Sequence, residues 1–275
     1  MLTTTTGLSD GQLAAVQALS DEVVAHDGGR LKLELAYVRD HPIEVALAHE
    51  GDRLVGYAGL YAFGAAVPEI AGMVAPDRRR HQVGSRLLDA LLPLARTRGA
   101  ATALLVTPST TPAGRAFAAG RGATLSHSEH FLVLGETPAT PEDPATVLRE
   151  AVPADVPALE RVLAAAFEQE HGSIDLDQAG DTTYAIDRDG TTVGHVRLSA
   201  HDAWGGVYGF AVDPALQGQG IGRDVLARCC RLLRAAGRSR VTLEVETQNA
   251  NALRLYTSTG FVREAGEDYW AVRAS

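Results

Sequence analysis

Cysteine is almost missing from this chain: two in 275 residues, and those two, Cys229 and Cys230, are neighbours. Adjacent positions on a helical pattern have poor geometry for a disulfide and no zinc-type spacing, so a redox framework and a cysteine metal site are both excluded. Long apolar runs are missing too. None approaches the ~20 residues of a membrane span, and the start "MLTTTTGLSD" lacks the basic residues and apolar stretch of a secretory leader, so the expected location is the cytoplasm. Positive charge is in deficit, with 25 basic against 34 acidic side chains and a net charge of −9. An acidic chain repels nucleic-acid phosphates, and the cluster Arg78-Arg79-Arg80 is too short to reverse that. Neither nucleic acid nor a membrane is expected as a partner, and a cationic partner is favoured.

What is present is enough core for two domains. Apolar residues make up 45%, and the length suits two domains of about 130 residues each. Residues 135–147 separate them: "GETPATPEDPAT" carries three prolines, only acidic charge and no large apolar side chain, a composition that neither pairs in a ladder nor buries a face. The flanking segments repeat each other. "MVAPDRRRHQVGSRLLDALLPLARTRGAATALLV" from Met73 runs beside "AVDPALQGQGIGRDVLARCCRLLRAAGRSRVTLEV" from Ala211, with Pro76 and Pro214, Gly84 and Gly222, and Gly99 and Gly237 each 138 apart. The chain reads as a duplicated domain, with copies at 1–134 and 148–275.

Each copy reads as α+β with a mostly antiparallel sheet. In the second, Pro153 to Asp155 opens an amphipathic helix reaching about Glu170, and "TTYAID", "TVGHVRLS" and "GVYGFAV" are strands, the first two joined at Arg188-Asp189-Gly190. A glycine loop and a helix to Ala236 follow, then the strand "VTLEVE", a helix stopped by Gly260, and "FVRE" and "DYWAVR" as a closing pair. The first copy repeats the order, with "IEVALAHEGDRLVGYAGLYAF" as its hairpin.

The loop at Gln217-Gly218-Gln219-Gly220-Ile221-Gly222 places bare amides between a strand and the first turn of a helix, where unpaired N–H groups and the positive end of the helix dipole converge on an anion. A tight turn that only needs positive φ would use the same glycines. A dinucleotide site fits poorly, because the third glycine of that fingerprint would fall on Arg223. The loop has company, however. Gln217-x-x-Gly220-x-Gly222 after Val212-Asp213-Pro214, followed by Asn249-x-x-Ala252-x-x-Leu255-Tyr256 and Gly260-Phe261, resembles the GNAT family of acetyl-CoA-dependent N-acetyltransferases. The resemblance implies two tandem domains, each a mostly antiparallel twisted mixed sheet flanked by helices. It implies that the amides around Gly218–Gly222, with Gln217, Gln219, Ile221 and Arg223, cradle the coenzyme A pyrophosphate. Phe210, Ala211 and Val212 would pair with the pantetheine arm, and Asn249 and Tyr256 would lie near the thioester.

Acetyl transfer to an amine needs a proton acceptor for the ammonium, a donor for the departing thiolate and an N–H facing the developing oxyanion. Glu244 and Tyr256 fit the first two roles, with Glu246 as the alternative base. Their spacing is similar to the pair in the ribosomal-protein alanine N-acetyltransferase branch. Glu244 facing solvent on alternate strand positions, and Tyr256 as a packing residue, are the structural alternatives. The first copy has Gln82 for Gly220, Leu105 or Val106 for Glu244 and Phe117 for Tyr256, so it is expected to be non-catalytic. Whether it keeps acetyl-CoA binding through Arg78–Arg80 stays open. The layout is similar to the mycothiol synthase branch, which implies desacetylmycothiol as one candidate acceptor. That branch carries a glutamate before "VY" where this chain has Gly206. The acidic segment Glu168–Asp181 favours a cationic amine, a small molecule or a peptide N-terminus. His171, His195 and His201 show no ligand spacing, and no metal is expected. A non-catalytic acetyl-CoA sensor or scaffold is the alternative function.

Overall fold

The computed structural model describes residues 1–62, 67–167, 174–177, 180–201 and 203–274. Two compact units divide the chain, one of Met1–Glu129 with Ala265–Ser275 and one of His130–Glu264. The first contains β1 (Leu2–Thr6), α1 (Asp10–Asp27), α2 (Leu35–Asp40), β2 (Glu44–Glu50), β3 (Arg53–Tyr61), β4 (Glu69–Val74), α3 (Val83–Thr97), β5 (Thr102–Pro108), α4 (Pro112–Gly120) and the start of β6 (Thr124–Leu134). The second contains the rest of β6, then β7 (Thr146–Glu150), α5 (Val156–Ala166), β8 (Asp181–Arg188), β9 (Thr191–His201), β10 (Trp204–Val212), α6 (Ile221–Ala235), β11 (Arg240–Glu246), α7 (Ala250–Ser258) and the first residues of β12 (Phe261–Arg273).

Each helix follows from local sequence. Ser9 and Gln12 close a capping box at the start of α1, which satisfies two otherwise orphaned donors. Helix α6 buries Ile221, Val225, Leu226, Cys229, Cys230 and Leu233 on one face, and full burial of such side chains contributes roughly 1.5–3 kcal/mol each. Both cysteines are free, and burial pushes their thiols up, Cys230 to about 12. They are inert packing residues. In each unit an antiparallel run of strands ends in one parallel pair, β4 with β5 and β10 with β11.

The closing pair expected from "FVRE" and "DYWAVR" is one strand, β12. Gly266 is not among the residues with positive φ, so the turn that would fold the segment back does not form. Residues 267–273 pair antiparallel with β5, from Glu267 opposite Pro108 to Arg273 opposite Thr102. The last residues of the chain therefore belong to the first compact unit, although they follow the second copy in sequence. The acidic segment 135–147 is also more ordered than its composition predicts. Arg228 donates to the carbonyls of Asp143 (2.8 Å) and Thr146 (3.0 Å), Arg231 to the Thr140 carbonyl (3.3 Å) and the Glu142 carboxylate (2.9 Å), and Arg234 to the Gly135 carbonyl (3.4 Å). Spaced by three along α6, these arginines strap the segment to the helix, and its last two residues enter β7.

Candidate active site

The glycine loop of the second copy has the geometry of an anion nest. Gly218 and Gly220 hold φ of +79° and +88°, and a Cβ added to either would meet nothing within 4 Å. Gly220 is the N-cap of α6 with no side chain capping it, so the first-turn amides face open space. The Gln217 amide donates to the Val212 carbonyl at 3.1 Å, tying the loop to the end of β10. Gln219 is exposed, Ile221 is buried in the core, and Arg223 reaches Ser258 at 3.5 Å. Gly222 has a different reason to be glycine: a Cβ there would meet Leu255 at 3.3 Å, so it admits close approach of α7.

Strand β10 opens immediately before this loop. It pairs with β11 only from Trp204 opposite Arg240 to Gly206 opposite Thr242, and its register with β9 shifts between Tyr208 and Ala211. The shift is a bulge at Gly209, φ +54°, whose carbonyl accepts from His195 Nδ1 at 2.7 Å. A bulge adds a residue and re-aims the strand. Beyond it Phe210 and Val212 pack against the α6 side, and Ala211 joins a cluster with Val162 and Leu163 of α5. The sequence reading named these three residues and weighed His195 only as a metal ligand; it missed the bulge, the bond from His195 to it, and Tyr208. A glycine in mid-strand, as in "VYGFAV", was the available signal.

Val241, Leu243 and Val245 share a core with α6, so Thr242, Glu244 and Glu246 face the other side of the sheet. Glu244 is half-buried there and Glu246 exposed. Gly206 and Tyr208 share that face, and a Cβ at 206 would fall 2.2 Å from the Tyr208 ring. The tyrosine has taken the space of any side chain at 206. Its ring lies 5.5 Å from the Arg197 guanidinium, which pairs with Asp181 at 3.3 Å. Tyr256 lies in the core on the α6 side, edge-on to Phe261 at 6.2 Å, and burial pushes its hydroxyl up to about 12. A phenol so placed keeps its proton at neutral pH. Asn249 caps α7, accepting from Ala252 N at 3.0 Å. Residues 168–173 and 178–179 of the acidic segment, with His171, lie outside the described residues. Asp175 and Asp177 are exposed.

In the first copy the same places are filled differently. Arg80 and Gln82 stand 138 residues before Gly218 and Gly220 and keep positive φ, +65° and +62°. Strand β4 pairs with β3 without interruption from Gly56 opposite Val74 to Tyr61 opposite Glu69, so no bulge forms. Arg78 is bound to Glu50 and Asp77, and Arg79 to Asp27 at 2.6 and 2.8 Å; two of the three clustered arginines already carry carboxylate partners. Phe117 packs against the position of Gly84.

A strand–glycine loop–helix unit beside a bulged strand is a place where backbone amides can meet an anion, and the comparisons supply the class, an acyltransferase. The acetyltransferase (GNAT) family model matches twice, at residues 15–123 and 148–261. The chain belongs to this family and is an N-acetyltransferase. It is 32% identical to the mycothiol acetyltransferase of Thermomonospora curvata over 94% of this chain and 93% of that one. It is 31% identical to the enzyme of that name from Thermobispora bispora, over 92% and 93%. Among solved structures it resembles a GCN5-related N-acetyltransferase from Sphaerobacter thermophilus, with TM-score 0.78, 15% identity and coverage of 99% and 96%. It also resembles a tandem GNAT protein from the clavulanic acid biosynthesis pathway, with TM-score 0.70, 17% identity and coverage of 100% and 99%. Enzymes of this family take the acetyl group from acetyl-CoA. The open nest at Gly218 and Gly220 fits that donor's phosphates. Among the described residues no cluster of metal-ligating side chains occurs, and no helix is long and apolar enough to cross a membrane.

Proposed function

We propose that the second copy transfers the acetyl group to a primary amine and that the first copy does not react. The observation that carries this reading is the coincidence, in the second copy alone, of a glycine nest and a strand bulge beside a half-buried carboxylate. Acetyl-CoA supplies the acetyl group as a thioester. In this reading the amides of 218–222 hold its pyrophosphate, and Phe210–Val212 present backbone groups to its pantetheine arm. Glu244 accepts the proton of the acceptor ammonium, Tyr256 returns one to the thiolate, and an N–H at the bulge faces the charge developing on the carbonyl oxygen. Raised by burial, the Tyr256 hydroxyl is a proton donor at neutral pH and not a base.

The acceptor in this reading is a cationic primary amine of a small molecule or a peptide N-terminus. Desacetylmycothiol is the second reading, favoured by the match to mycothiol acetyltransferases over more than nine-tenths of both chains. Tyr208 lying across Gly206 argues for a different acceptor, because it removes the place for a carboxylate at 206. A thiol-release assay over amino sugars, peptide N-termini and desacetylmycothiol separates the two. Preference for desacetylmycothiol selects the second reading of the acceptor, preference for an amino sugar or a peptide N-terminus rejects it, and no acetylation of any amine overturns the catalytic reading.

A further inference from the structure

The chain has 24 arginines and a single lysine, Lys32. Every other fixed cationic side chain is a guanidinium, yet this lone side-chain ammonium is not at the surface. Its side chain is 9% exposed, between α1 and α2 on the first compact unit. The Nζ donates to Tyr269 Oη at 2.6 Å and stands 3.5 Å from Glu69 and 4.0 Å from Glu129. It also lies 5.1 Å from the Tyr269 ring centre, whose hydroxyl donates to Glu129 at 2.6 Å and whose ring stacks on His127 at 4.3 Å. Two carboxylates, a phenol oxygen and an aromatic ring form a cage with the chemistry of primary-ammonium recognition.

The position of this cage follows from the duplication. Glu69 is registered opposite Leu104, and Gly206 opposite Thr242. Leu104 and Thr242 are related by the same spacing as the paired glycines (242 − 104 = 138), so Glu69 and Gly206 are equivalent positions on equivalent faces. In the second copy that face carries Glu244 and Tyr208. In the first it carries Glu69, and Lys32 is on it.

The segment bearing Lys32 is fastened from both sides. Arg30 binds Glu267 at 2.7 Å and Glu34 at 2.8 Å, and the Leu33 carbonyl accepts from the buried Tyr61 hydroxyl at 2.5 Å. Glu34 turns the chain with φ +43°, a conformation that non-glycine residues adopt only when surroundings impose it.

We propose that Lys32 occupies, as a built-in amine, the acceptor place of the first copy and closes that copy to external acceptors. The proposal rests on the second copy being the one that receives an acceptor, but its test reads the first unit alone and does not depend on turnover. A lysine is needed because a compact ammonium enters a cage that a planar, five-donor guanidinium overfills.

Lys32→Ala removes three methylenes and the ammonium, the size of n-propylammonium. The thermal midpoint should fall, on the order of 5–10 °C, because two carboxylates then lose the ammonium between them. In that variant 50 mM n-propylammonium chloride should restore at least half of the loss. Tetramethylammonium chloride at the same concentration, which donates no hydrogen bond, should restore little, and wild type should respond to neither. Equal restoration by both salts, restoration by neither, or an unchanged midpoint overturns the proposal. If Lys32→Ala does not fold, wild type supplies the test through reductive methylation with labelled formaldehyde, which reaches only Lys32 and the chain terminus. A caged Lys32 stays unlabelled in the folded protein and is labelled after denaturation, whereas rapid labelling of the folded protein overturns the proposal.

Discussion

The two copies hold the same backbone at the start of their central helices and put opposite residues on it. Positions 80 and 82 turn left-handed in the first copy, as 218 and 220 do in the second. The second uses glycine at both. The first uses Arg80 and Gln82, which hold that conformation at a cost of about 1–2 kcal/mol each. Backbone shape survived the divergence of the copies, whereas the openness of the nest and the bulge of the neighbouring strand did not. The comparison teaches that an anion site of this kind is made by what is missing from the loop as much as by where the amides point. The copies also differ at three separate places: the loop, the strand register and the face that carries Glu69 in one and Gly206 in the other.

The largest expected effect breaks the comparison at its base. Deleting residues 265–275 removes the strand that pairs with β5 and the partners of Arg30, Lys32 and Thr107. The first unit should lose its cooperative unfolding transition altogether, read as loss of slow amide exchange in β3–β5. Persistence of that protection would mean the copies fold as sequence order alone would divide them. Next in size, Gly220→Val puts a side chain into the open nest. Coenzyme affinity by calorimetry should fall about 10–100-fold, the worth of one or two charge-assisted hydrogen bonds. Gln82→Gly opens the first copy's loop without rebuilding the bulge and should raise affinity little.

A third test sets the copies directly against each other. Tyr256→Phe should lower turnover about 10²-fold by removing a proton donor, and Phe117→Tyr should change it by less than about twofold. Equal losses would mean that both copies react. The smallest effect is structural. Arg149 and the Val152 amide hold the Asp155 carboxyl below the usual 3.8, at about 2. A lowered value contributes stability that is present above about pH 4 and is lost as pH falls toward 2. Asp155→Asn should therefore cost up to about 1 kcal/mol at pH 7, reduced by solvent screening of a partly exposed pair, and little near pH 2. Denaturant titrations at both values check it.

Legibility followed locality. The glycine loop and the helix after it are written in consecutive residues, and both stand where the spacing predicts, whereas the capping role of Asn249 emerged only from the structure. The core face of α6 is equally plain from Val225, Cys229 and Leu233. What depends on a distant partner was hidden. Nothing local in "FVREAGEDYWAVR" says that it stays one strand, because a glycine at 266 permits a turn without requiring one. Strand β7 was concealed by the prolines before it, and the strap of Arg228, Arg231 and Arg234 reads locally as a solvated helix face. At the candidate site Gly209 was visible but unread. Tyr208 could not be placed, since its rotamer over Gly206 is a tertiary choice. The cage of Lys32 joins residues 32, 69, 129 and 269, which no window on the sequence brings together.

The central claim, that acetyl transfer runs in the second copy with Glu244 as base, is tested most directly by turnover of Glu244→Gln across pH. The glutamine keeps size and polarity but accepts no proton. Turnover should fall about 10²–10⁴-fold at neutral pH with coenzyme affinity nearly unchanged, and the deficit should shrink at alkaline pH, where more of the acceptor amine is already neutral. Full activity of Glu244→Gln at neutral pH would contradict the account and move the base to Glu246 or to another carboxylate.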